Sequence, residues 1–485
     1  MAAKASRSKK WANTKVEITT HPDSTIAIPK GMSLGVAAET LARQEIENNT
    51  VKKVAHTVRG AFAVDAVHAF TIAFERIIGR AFTPDGMEPA VSLTIPNGLK
   101  TTTEIKLGPV TGARLEGGFL APTLMGSSTR PEVAIIGKVK AMLHDTVLHE
   151  LWDELDRILA EESLYKGKAI SLDLSWTRDE NPEFNPEQCA PAFRETEDPD
   201  SLILTPETAT IIESSVFDLI RHTDEWEASG LTVRRSVVLS GPYGTGKSKT
   251  CGVIGRLCEQ NGWTCIHLTD ARDIVRGYEI ARQFEPACLI IEDLDTVLKG
   301  ERSDEMNLVL NTIDGVDKSA RVLFVATTNH LGSFNAAALR AGRIDDAIHL
   351  GNLDGPSAVR FLRLELGDRI PADAPLDTLE PVVAGMAPAT LAEVSKSSIR
   401  RVFHRNPAAI DAVSVDDLIE AALAVAANQR RKADEASAFK LSQMTDDQRR
   451  KALLMTAKTS FYNTAASAAA LPPADSVVID APALS

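Results

Sequence analysis

The octapeptide GPYGTGKS at residues 241–248 constrains the fold of this 485-residue chain more than any other feature of its sequence. It fits the pattern G-x-x-x-x-G-K-[ST], with a strand-like run, Ser236–Ser240, before it and a helical pattern after it. In such a loop the glycines let backbone N–H groups converge on phosphate oxygens at the positive N-terminus of a helix. We therefore expect residues 241–248, the phosphate loop, to bind the phosphates of a nucleotide.

The phosphate loop also carries two side chains that suit this chemistry. Lys247 can reach the β- and γ-phosphates, and the hydroxyl of Ser248 is a ligand for Mg²⁺. The predicted nucleotide-binding residues are Gly241, Pro242, Tyr243, Gly244, Thr245, Gly246, Lys247, Ser248 and Lys249.

Carboxylates follow a second predicted strand. The segment ACLIIEDLD begins at Ala287 and ends in Glu292, Asp293 and Asp295. The carboxyl ends of parallel strands border the crevice in which α/β proteins bind their ligands. Without the phosphate loop, these acids would be read as a solvated turn. Together with that loop, they predict one carboxylate that supports Mg²⁺ and another that orients the attacking water.

Two further segments carry candidate residues. The strand-like segment RVLFVATTN ends in Asn329, whose amide is either a sensor of the γ-phosphate or its water, or a simple turn former. The segment ALRAGRIDD places Arg340 and Arg343 on one side of a helical turn. These arginines are either a surface pair or fingers that reach the nucleotide of a neighbouring subunit.

The patterns along the chain predict an α/β protein with several domains. Strands alternate with helices around the phosphate loop, which indicates a parallel sheet. The predicted organisation is an α+β N-terminal domain with a basic arm at 1–176, an acidic, proline-rich linker at 177–200, an α/β nucleotide-binding subdomain at 201–355, a helical lid at 356–435 and an alanine-rich tail without fixed structure at 436–485.

Within the N-terminal domain, apolar residues at helical spacing predict helices over Ser33–Asn48 and Val58–Phe82. Short apolar or alternating runs then predict a small sheet, and a further helix is expected over Val139–Leu164. The alternating run Lys168–Trp176 is predicted as one more strand of this domain.

Composition excludes some classes of protein. The chain has 53 Lys and Arg against 66 Asp and Glu, and its net charge of −13 disfavours a protein that coats nucleic acid. No apolar run approaches the ~18 residues of a membrane span. The five cysteines form no C-x-x-C pair, which predicts reduced, mostly buried thiols and a cytoplasmic location.

In this order the motifs resemble those of the AAA+ ATPases, and within them the AAA clade that includes FtsH-type proteases, proteasomal ATPases and spastin-like severing enzymes. The resemblance covers about residues 206–433. It rests on the segments RRSVVLSGPYGTGKS, EPACLIIEDLDTVL, LNTIDGV, ATTN, ALRAGRIDDAIHL and GMAPATLAEV.

The resemblance implies a P-loop NTPase sheet with a helical lid, ATP and Mg²⁺ as ligands, and a homo-oligomeric ring, usually a hexamer, with sites at subunit interfaces. It further implies that Asn329 is the sensor 1 residue and that Arg340 and Arg343 act in trans as arginine fingers. Relatives recognise their substrates through the N-terminal domain, so a protein substrate is expected there.

Two departures from the family pattern affect the expected mechanism. The acidic strand of the family usually ends in Asp and then Glu, whereas Glu292 precedes Asp293 here, as in Bcs-type AAA translocases. By position, Glu292 takes the role linked to the metal and Asp293 polarises the water, with Asp295 as a further candidate. The segment before the acidic strand is also short, and Tyr278 in it is expected to pack rather than to line a pore.

The sequence therefore predicts an ATP-hydrolysing protein that remodels a protein or an assembly. An ATP-gated scaffold or switch with little motor activity is one alternative, favoured by the short segment and the exchanged carboxylates. A nucleic-acid-associated AAA+ motor is another, disfavoured by the acidic charge. The segment HELWD, from His149, lacks the second histidine of H-E-x-x-H, so no FtsH-like zinc protease site is predicted.

Overall fold

The computed structural model describes most of the chain. The described residues are 30–58, 62–127, 130–175, 190–294, 319–333, 344–407 and 412–443. The described residues form two compact units, the first within 1–353 together with 387–389 and the second within 354–386 and 390–485. None of the described helices is long and apolar enough to cross a membrane.

The first unit begins with a set of helices and two antiparallel sheets. In chain order the elements are α1 (Leu34–Asn49), β1 (Val51–Val58), α2 (Ala63–Ile77), β2 (Val91–Pro96), β3 (Thr102–Leu107), β4 (Phe119–Ser127), β5 (Arg130–Lys140), α3 (Ala141–His144) and α4 (Val147–Glu161). Strand β5 lies between β1 and β4 and is antiparallel to both, and β2 pairs with β3 in a hairpin. Helices α2 and α4 pack against each other.

The beginning of α2 differs from the sequence prediction. The pattern predicts a helix over Val58–Phe82, but Val58 ends strand β1 and the helix spans only Ala63–Ile77. In β1 only Val54 and Val58 are buried, and these residues are four apart. That spacing is also a helical repeat, so the apolar pattern does not reveal the strand.

The second part of the first unit is a seven-stranded sheet with helices. Its elements are β6 (Ala169–Leu172), β7 (Ala192–Phe193), α5 (Pro206–Ile212), α6 (Asp218–Arg221), α7 (Thr223–Ala228), β8 (Arg235–Ser240), α8 (Lys247–Gln260), β9 (Thr264–Leu268), α9 (Ile274–Gln283), β10 (Ala287–Ile291), β11 (Val322–Thr328) and β12 (Asp346–His349). The strand order is β12-β8-β11-β10-β9-β6-β7, and every neighbouring pair is parallel except β6 and β7. The predicted α/β class with a parallel sheet is confirmed.

The central strands of this sheet end at the same edge. In the register of the sheet, Ile291 of β10 pairs with Leu268 of β9 and with Ala326 of β11, and Thr328 of β11 pairs with Ser240 of β8. The segments that follow these strands are therefore neighbours in space, which is the position expected for a ligand site in a parallel sheet.

Strand β6 belongs to a different sheet from the one predicted. The alternating run Lys168–Trp176 is expected in the N-terminal sheet, but residues 169–172 pair in parallel with β9, with Ile170 opposite Ile266. Three of the four residues of β6 are buried, because both faces of a parallel sheet are covered. Partial alternation in a short strand does not specify which sheet it joins.

Both faces of the seven-stranded sheet are packed with apolar side chains. On one face, residues of α2 and α4 form a continuous cluster with Ile266, Leu289 and Phe324 of the sheet. On the other face, α8 and the segment from α5 to α6 pack against side chains that include Val237 and Ile290. The strands on either side of the phosphate loop are thus held in a core closed on both faces.

The second unit is helical, as its pattern predicts. Its helices are α10 (Gly355–Leu366), α11 (Glu380–Val383), α12 (Pro388–Arg405) and α13 (Val415–Gln443). Helix α13 ends at Gln443, inside the segment 436–485 that was expected to lack fixed structure. The expectation is wrong for residues 436–443, and residues 444–485 lie outside the described part of the chain.

Candidate functional site

The phosphate loop joins β8 to α8 in a conformation that depends on glycine. Gly241, Gly244 and Gly246 have φ values of 153°, 79° and 99°, in the region that side chains disfavour. A Cβ atom on Gly241 would lie 2.1 Å from the carbonyl oxygen of Leu350, so the loop can pass this segment only without a side chain. Gly246 precedes the first turn of α8, where backbone N–H groups are not used within the helix.

Lys247 is folded back on the loop. Its side chain is buried, and its Nζ atom donates to the carbonyl oxygens of Gly241 and Pro242 at 2.7 and 2.8 Å. The ammonium group also lies 5.8 Å from the ring centre of Tyr243, whose side chain is largely exposed. The carbonyl oxygens of Gly241 and Pro242 therefore hold the positive charge beside the phosphate loop, and a phosphate oxygen can replace them as acceptors.

Glu292 follows β10 and lies among several polar groups. Its Oε1 atom is 2.6 Å from Nη2 of Arg194 and 3.7 Å from Nδ1 of His267, and its carboxylate also accepts a hydrogen bond from Ser248. The interaction with His267 is the largest cause that lowers the pKa of Glu292 to about 2, and Ser248 and Arg194 act in the same direction against partial burial. Glu292 is therefore ionised at neutral pH.

Asp293 and Asn329 contact each other directly. Nδ2 of Asn329 donates to Oδ1 of Asp293 at 3.2 Å, and the backbone N–H of Asp293 donates to Oγ1 of Thr327 at 2.9 Å. The φ angle of Asp293 is 50°, in the left-handed region. The ends of β10 and β11 are thus linked through the two residues that the sequence predicts as water-orienting carboxylate and sensor.

The structure brings most of the predicted site residues to one edge of the sheet. The phosphate loop with Lys249, then Glu292, Asp293 and Asn329, all follow the carboxyl ends of β8, β10 and β11. Arg340, Arg343 and Asp295 lie outside the described residues.

Sequence reasoning missed two residues of the site, Arg194 and His267. His267 is a buried histidine near the end of β9, and its position between the apolar residues Ile266 and Leu268 is the one signal in the sequence that suggests it. Arg194 follows the two-residue strand β7 and is 98 positions from Glu292, so no local pattern connects the two.

Three cysteines lie behind the site. The Sγ atoms of Cys258, Cys265 and Cys288 are within 4.8 Å of one another and buried where α8 packs on β9 and β10. The thiols of Cys258 and Cys288 donate to Cys265 and hold the pKa of the Cys265 thiol well below its usual value. All four cysteines of the described residues are free and buried, as expected, and Cys189 lies outside these residues.

The family of the nucleotide-binding part follows from a comparison with known protein families. Residues 237–352, which include the phosphate loop, Glu292, Asp293 and Asn329, match the family described as "ATPase family associated with various cellular activities (AAA)". These residues form an AAA domain of the AAA+ superfamily. The predicted membership of the AAA+ superfamily is confirmed for these residues. The roles assigned to Glu292 and Asp293 from their order in the sequence stay predictions.

Curated relatives of the AAA domain include proteases and a chaperone. The chain is 25 % identical over 233 residues to the ATP-dependent zinc metalloprotease FtsH of Synechococcus sp. (strain JA-2-3B'a(2-13)), covering 44 % of this chain and 36 % of the relative. It is 27 % identical over 225 residues to FtsH of Mycobacterium tuberculosis (strain ATCC 25618 / H37Rv), covering 42 % of this chain and 29 % of that protein. It is 29 % identical over 175 residues to the probable mitochondrial chaperone bcs1 of Schizosaccharomyces pombe, covering 33 % of this chain and 38 % of that protein. The chain thus spans about a third of the length of these relatives.

The matched range also shows what lies beyond the AAA domain. Strands β6 and β7 extend the sheet next to β9, but both precede residue 237. Arg194, which contacts Glu292, therefore comes from outside the AAA match.

Proposed function

We propose that this chain binds ATP with Mg²⁺ at the phosphate loop of its AAA domain and hydrolyses it to remodel a protein or an assembly. One observation carries the proposal. The phosphate loop lies at the same sheet edge as the Ser248–Glu292 contact and the Asn329–Asp293 hydrogen bond. The AAA match and the FtsH and bcs1 relatives support an ATPase of this type.

The residues present fit Mg²⁺ as a ligand. Ser248 offers a hydroxyl oxygen and Glu292 an ionised carboxylate, and hard oxygen donors are what this cation prefers. Bound Mg²⁺ would neutralise charge on the phosphates. Lys247 would exchange the carbonyl oxygens that it now contacts for the β- and γ-phosphate oxygens, since a charged acceptor makes the stronger hydrogen bond.

Asp293 is proposed to orient the attacking water and to accept its proton. The amide of Asn329 holds one carboxylate oxygen of Asp293, which restricts the rotation of the side chain and places the neutral amide next to the reacting groups. Asp295 remains a second candidate for this role. Positioning and charge stabilisation account for most of the catalysis of phosphoryl transfer, so the proposed role depends on where this carboxylate is held.

We further propose that the sites are shared between subunits of a homo-oligomeric ring, expected to be a hexamer. In this proposal Arg340 and Arg343 act in trans on the γ-phosphate of the neighbouring subunit. The N-terminal region, expected at residues 1–176, would bind the protein substrate.

An ATP-gated scaffold or switch is the second candidate, and one observation favours it. Tyr278 is partly buried in α9 and packs against the apolar cluster. It therefore does not project from a loop, as a residue that grips a threaded polypeptide would. A remodelling ATPase is expected to turn over on the order of one ATP per second or faster, whereas a switch would be far slower.

The proposal predicts that Lys247→Ala weakens nucleotide binding, because it removes the charge that would hold the β- and γ-phosphates. We expect the affinity for a fluorescent ATP analogue to fall at least about tenfold and phosphate release to reach background. Arg282→Ala is the control, because this exposed arginine of α9 forms an ion pair with Glu285, which lies after the end of the helix. Equal nucleotide binding and phosphate release by Lys247→Ala and the wild type would refute the proposed site.

Mixing subunits tests the shared site. Lys247→Ala subunits retain Arg340 and Arg343, and Arg343→Ala subunits retain an intact phosphate loop. If the arginines act in trans, a mixture contains sites with both parts and should recover phosphate release. No recovery at any ratio would count against shared sites while leaving ATP binding by each subunit intact.

A further inference from the structure

Arg194 lies outside the AAA match and yet contacts a central residue of the site. Its Nη2 atom is 2.6 Å from Oε1 of Glu292, a distance typical of a strong charge-assisted hydrogen bond. The side chain of Arg194 is 35 % exposed and that of Glu292 is 25 % exposed, so solvent screens the pair only in part.

The backbone around Arg194 is fixed on two sides. The N–H of Arg194 donates to the carbonyl oxygen of Ala169 in β6, at 2.9 Å. Three residues later, the N–H of Glu197 donates to the carbonyl oxygen of Gly252 in α8, at 3.1 Å. The guanidinium is thus presented by a segment held between the sheet and the helix of the phosphate loop.

The close approach of this segment to α8 depends on Gly252. A Cβ atom at Gly252 would lie 2.6 Å from Cγ of Glu197, which is closer than packed side chains approach, and 3.2 Å from its Cβ, which is a tight contact. The hydroxyl of Thr196 adds a hydrogen bond to Glu259 on the same helix, at 3.3 Å. The position of Arg194 relative to α8 is therefore built into the packing of this helix.

Glu292 has one carboxylate for three partners. Arg194 and His267 both face its Oε1 atom, and Ser248 donates to the same carboxylate. A guanidinium stays protonated at any pH a protein tolerates, so the charge of Arg194 is permanent. A divalent cation that approaches Glu292 and Ser248 must share the carboxylate with this charge or displace it.

We propose that Arg194 is a positioning residue that sets the Mg²⁺ requirement of the site, because its ion pair with Glu292 competes with Mg²⁺ for that carboxylate. The inference rests on the proposed function, since it concerns the same cation. It assigns a role to the β7 segment, which precedes the AAA domain. Mg²⁺ binding would release Arg194 from Glu292, so the contacts of the β7 segment would differ between the Mg²⁺-bound and Mg²⁺-free site.

The test is a Mg²⁺ titration of the binding of a fluorescent ATP analogue, which needs no hydrolysis. The Arg194→Gln variant keeps a polar side chain of similar reach but loses the charge, and Arg194→Lys keeps the charge. Repulsion between a monovalent and a divalent cation that share a carboxylate corresponds to about tenfold in affinity even in a water-like dielectric. We expect the half-saturating Mg²⁺ concentration to fall about tenfold in Arg194→Gln and to stay within about twofold of wild type in Arg194→Lys.

Two controls separate charge competition from a structural effect. Binding of the analogue in EDTA is measured for each variant, and the Mg²⁺ effect is expressed as the ratio of the affinities with and without Mg²⁺, because only the competition requires Mg²⁺. Arg282→Gln, which removes a comparably exposed arginine from its ion pair with Glu285, should leave the Mg²⁺ titration unchanged. Arg194→Met, which also lacks the charge, provides the same comparison if Arg194→Gln does not fold.

Each outcome bears on a different claim. A half-saturating Mg²⁺ concentration in the uncharged variants equal to or above that of wild type would overturn the role of Arg194 while leaving ATP binding in place. Failure of the wild-type chain to bind the analogue at any Mg²⁺ concentration would overturn the proposed function, and the Arg194 inference with it.

Discussion

Asp293 shows how local conformation and proposed chemistry meet at one residue. Its φ of 50° lies in a region that most side chains avoid, but Asp and Asn tolerate it. The hydrogen bonds with Thr327 and Asn329 hold the residue in this conformation. The sequence identifies Asp293 as a candidate from its place after a buried strand. It does not reveal the backbone conformation, which is set by contacts with β11, more than thirty positions away.

Arg194 marks the limit of sequence reasoning at this scale. Lys247 and Ser248 are recognisable because their roles depend on spacing within one loop. The contact between Arg194 and Glu292 depends instead on how β7 is placed beside β6, and no periodicity or motif encodes it. Residues of this kind are found only from the fold.

Asp65 gives a prediction about pH at the residue scale. It is buried in α2 and accepts hydrogen bonds from Ser163 Oγ at 2.6 Å and the N–H of Leu164 at 2.9 Å. Burial raises the pKa of Asp65 above its usual value of 3.8, and these hydrogen bonds oppose the shift only in part. A carboxyl group with a raised pKa in the folded state stabilises the fold most below its unfolded pKa, and this contribution is lost as the pH rises through the folded pKa.

We therefore expect the free energy of unfolding of the wild type, relative to Asp65→Asn, to decrease as the pH rises from about 4 to 8. Urea denaturation at several pH values measures this difference, since the asparagine does not titrate. A difference that is constant or increases with pH would show that Asp65 does not have a raised pKa in the folded protein.

At the scale of elements, the sequence predicts best where the pattern is unambiguous. The run Ser236–Ser240 before the phosphate loop is observed as β8, and the strand predicted to begin at Ala287 is observed as β10, because a glycine-rich loop follows the first and Pro286 precedes the second. Strand β1 was missed because its two buried valines have helical spacing, and β6 was placed in the wrong sheet because pairing partners are not local.

The start of α10 provides a prediction at this scale. Asp354 is the N-cap residue, its Oδ1 atom accepts from the N–H of Ser357 at 2.9 Å, and Pro356 lies in the first turn. Asp354→Ala should lower the free energy of unfolding by about 1 kcal/mol, because an unsatisfied N–H remains at the helix end. Asp368→Ala, which removes an exposed carboxylate that is not at this cap, is the control.

The pH dependence of this variant provides a second check by urea denaturation. The hydrogen bonds from Ser357 lower the pKa of Asp354, so its contribution is present above the unfolded pKa and is lost as the pH falls through the folded pKa. The difference between Asp354→Ala and wild type should therefore shrink in acid. A difference near zero at neutral pH would contradict the assignment of the cap.

At the scale of the whole chain, the first unit combines the AAA domain with elements that precede it. The ring of Phe62 stacks on that of Phe284 with centres 5.6 Å apart, and Tyr165 stacks on Phe193 at 5.5 Å. The apolar cluster is continuous from α2 and α4 to the sheet. The division of the chain into domains at 1–176 and 177–200 stays a prediction.

ATP hydrolysis is the activity proposed for the whole chain. Because Asp293 is proposed to activate the attacking water, the rate of hydrolysis tests this proposal most directly. Asp293→Asn preserves the size of the side chain and the tolerance for a positive φ, but its amide cannot accept a proton. Phosphate release from ATP should be measured for wild type and Asp293→Asn at saturating Mg²⁺, together with the binding of a fluorescent ATP analogue. We expect phosphate release to fall about a hundredfold or more while binding is retained. Hydrolysis by Asp293→Asn at the wild-type rate would contradict the proposed mechanism.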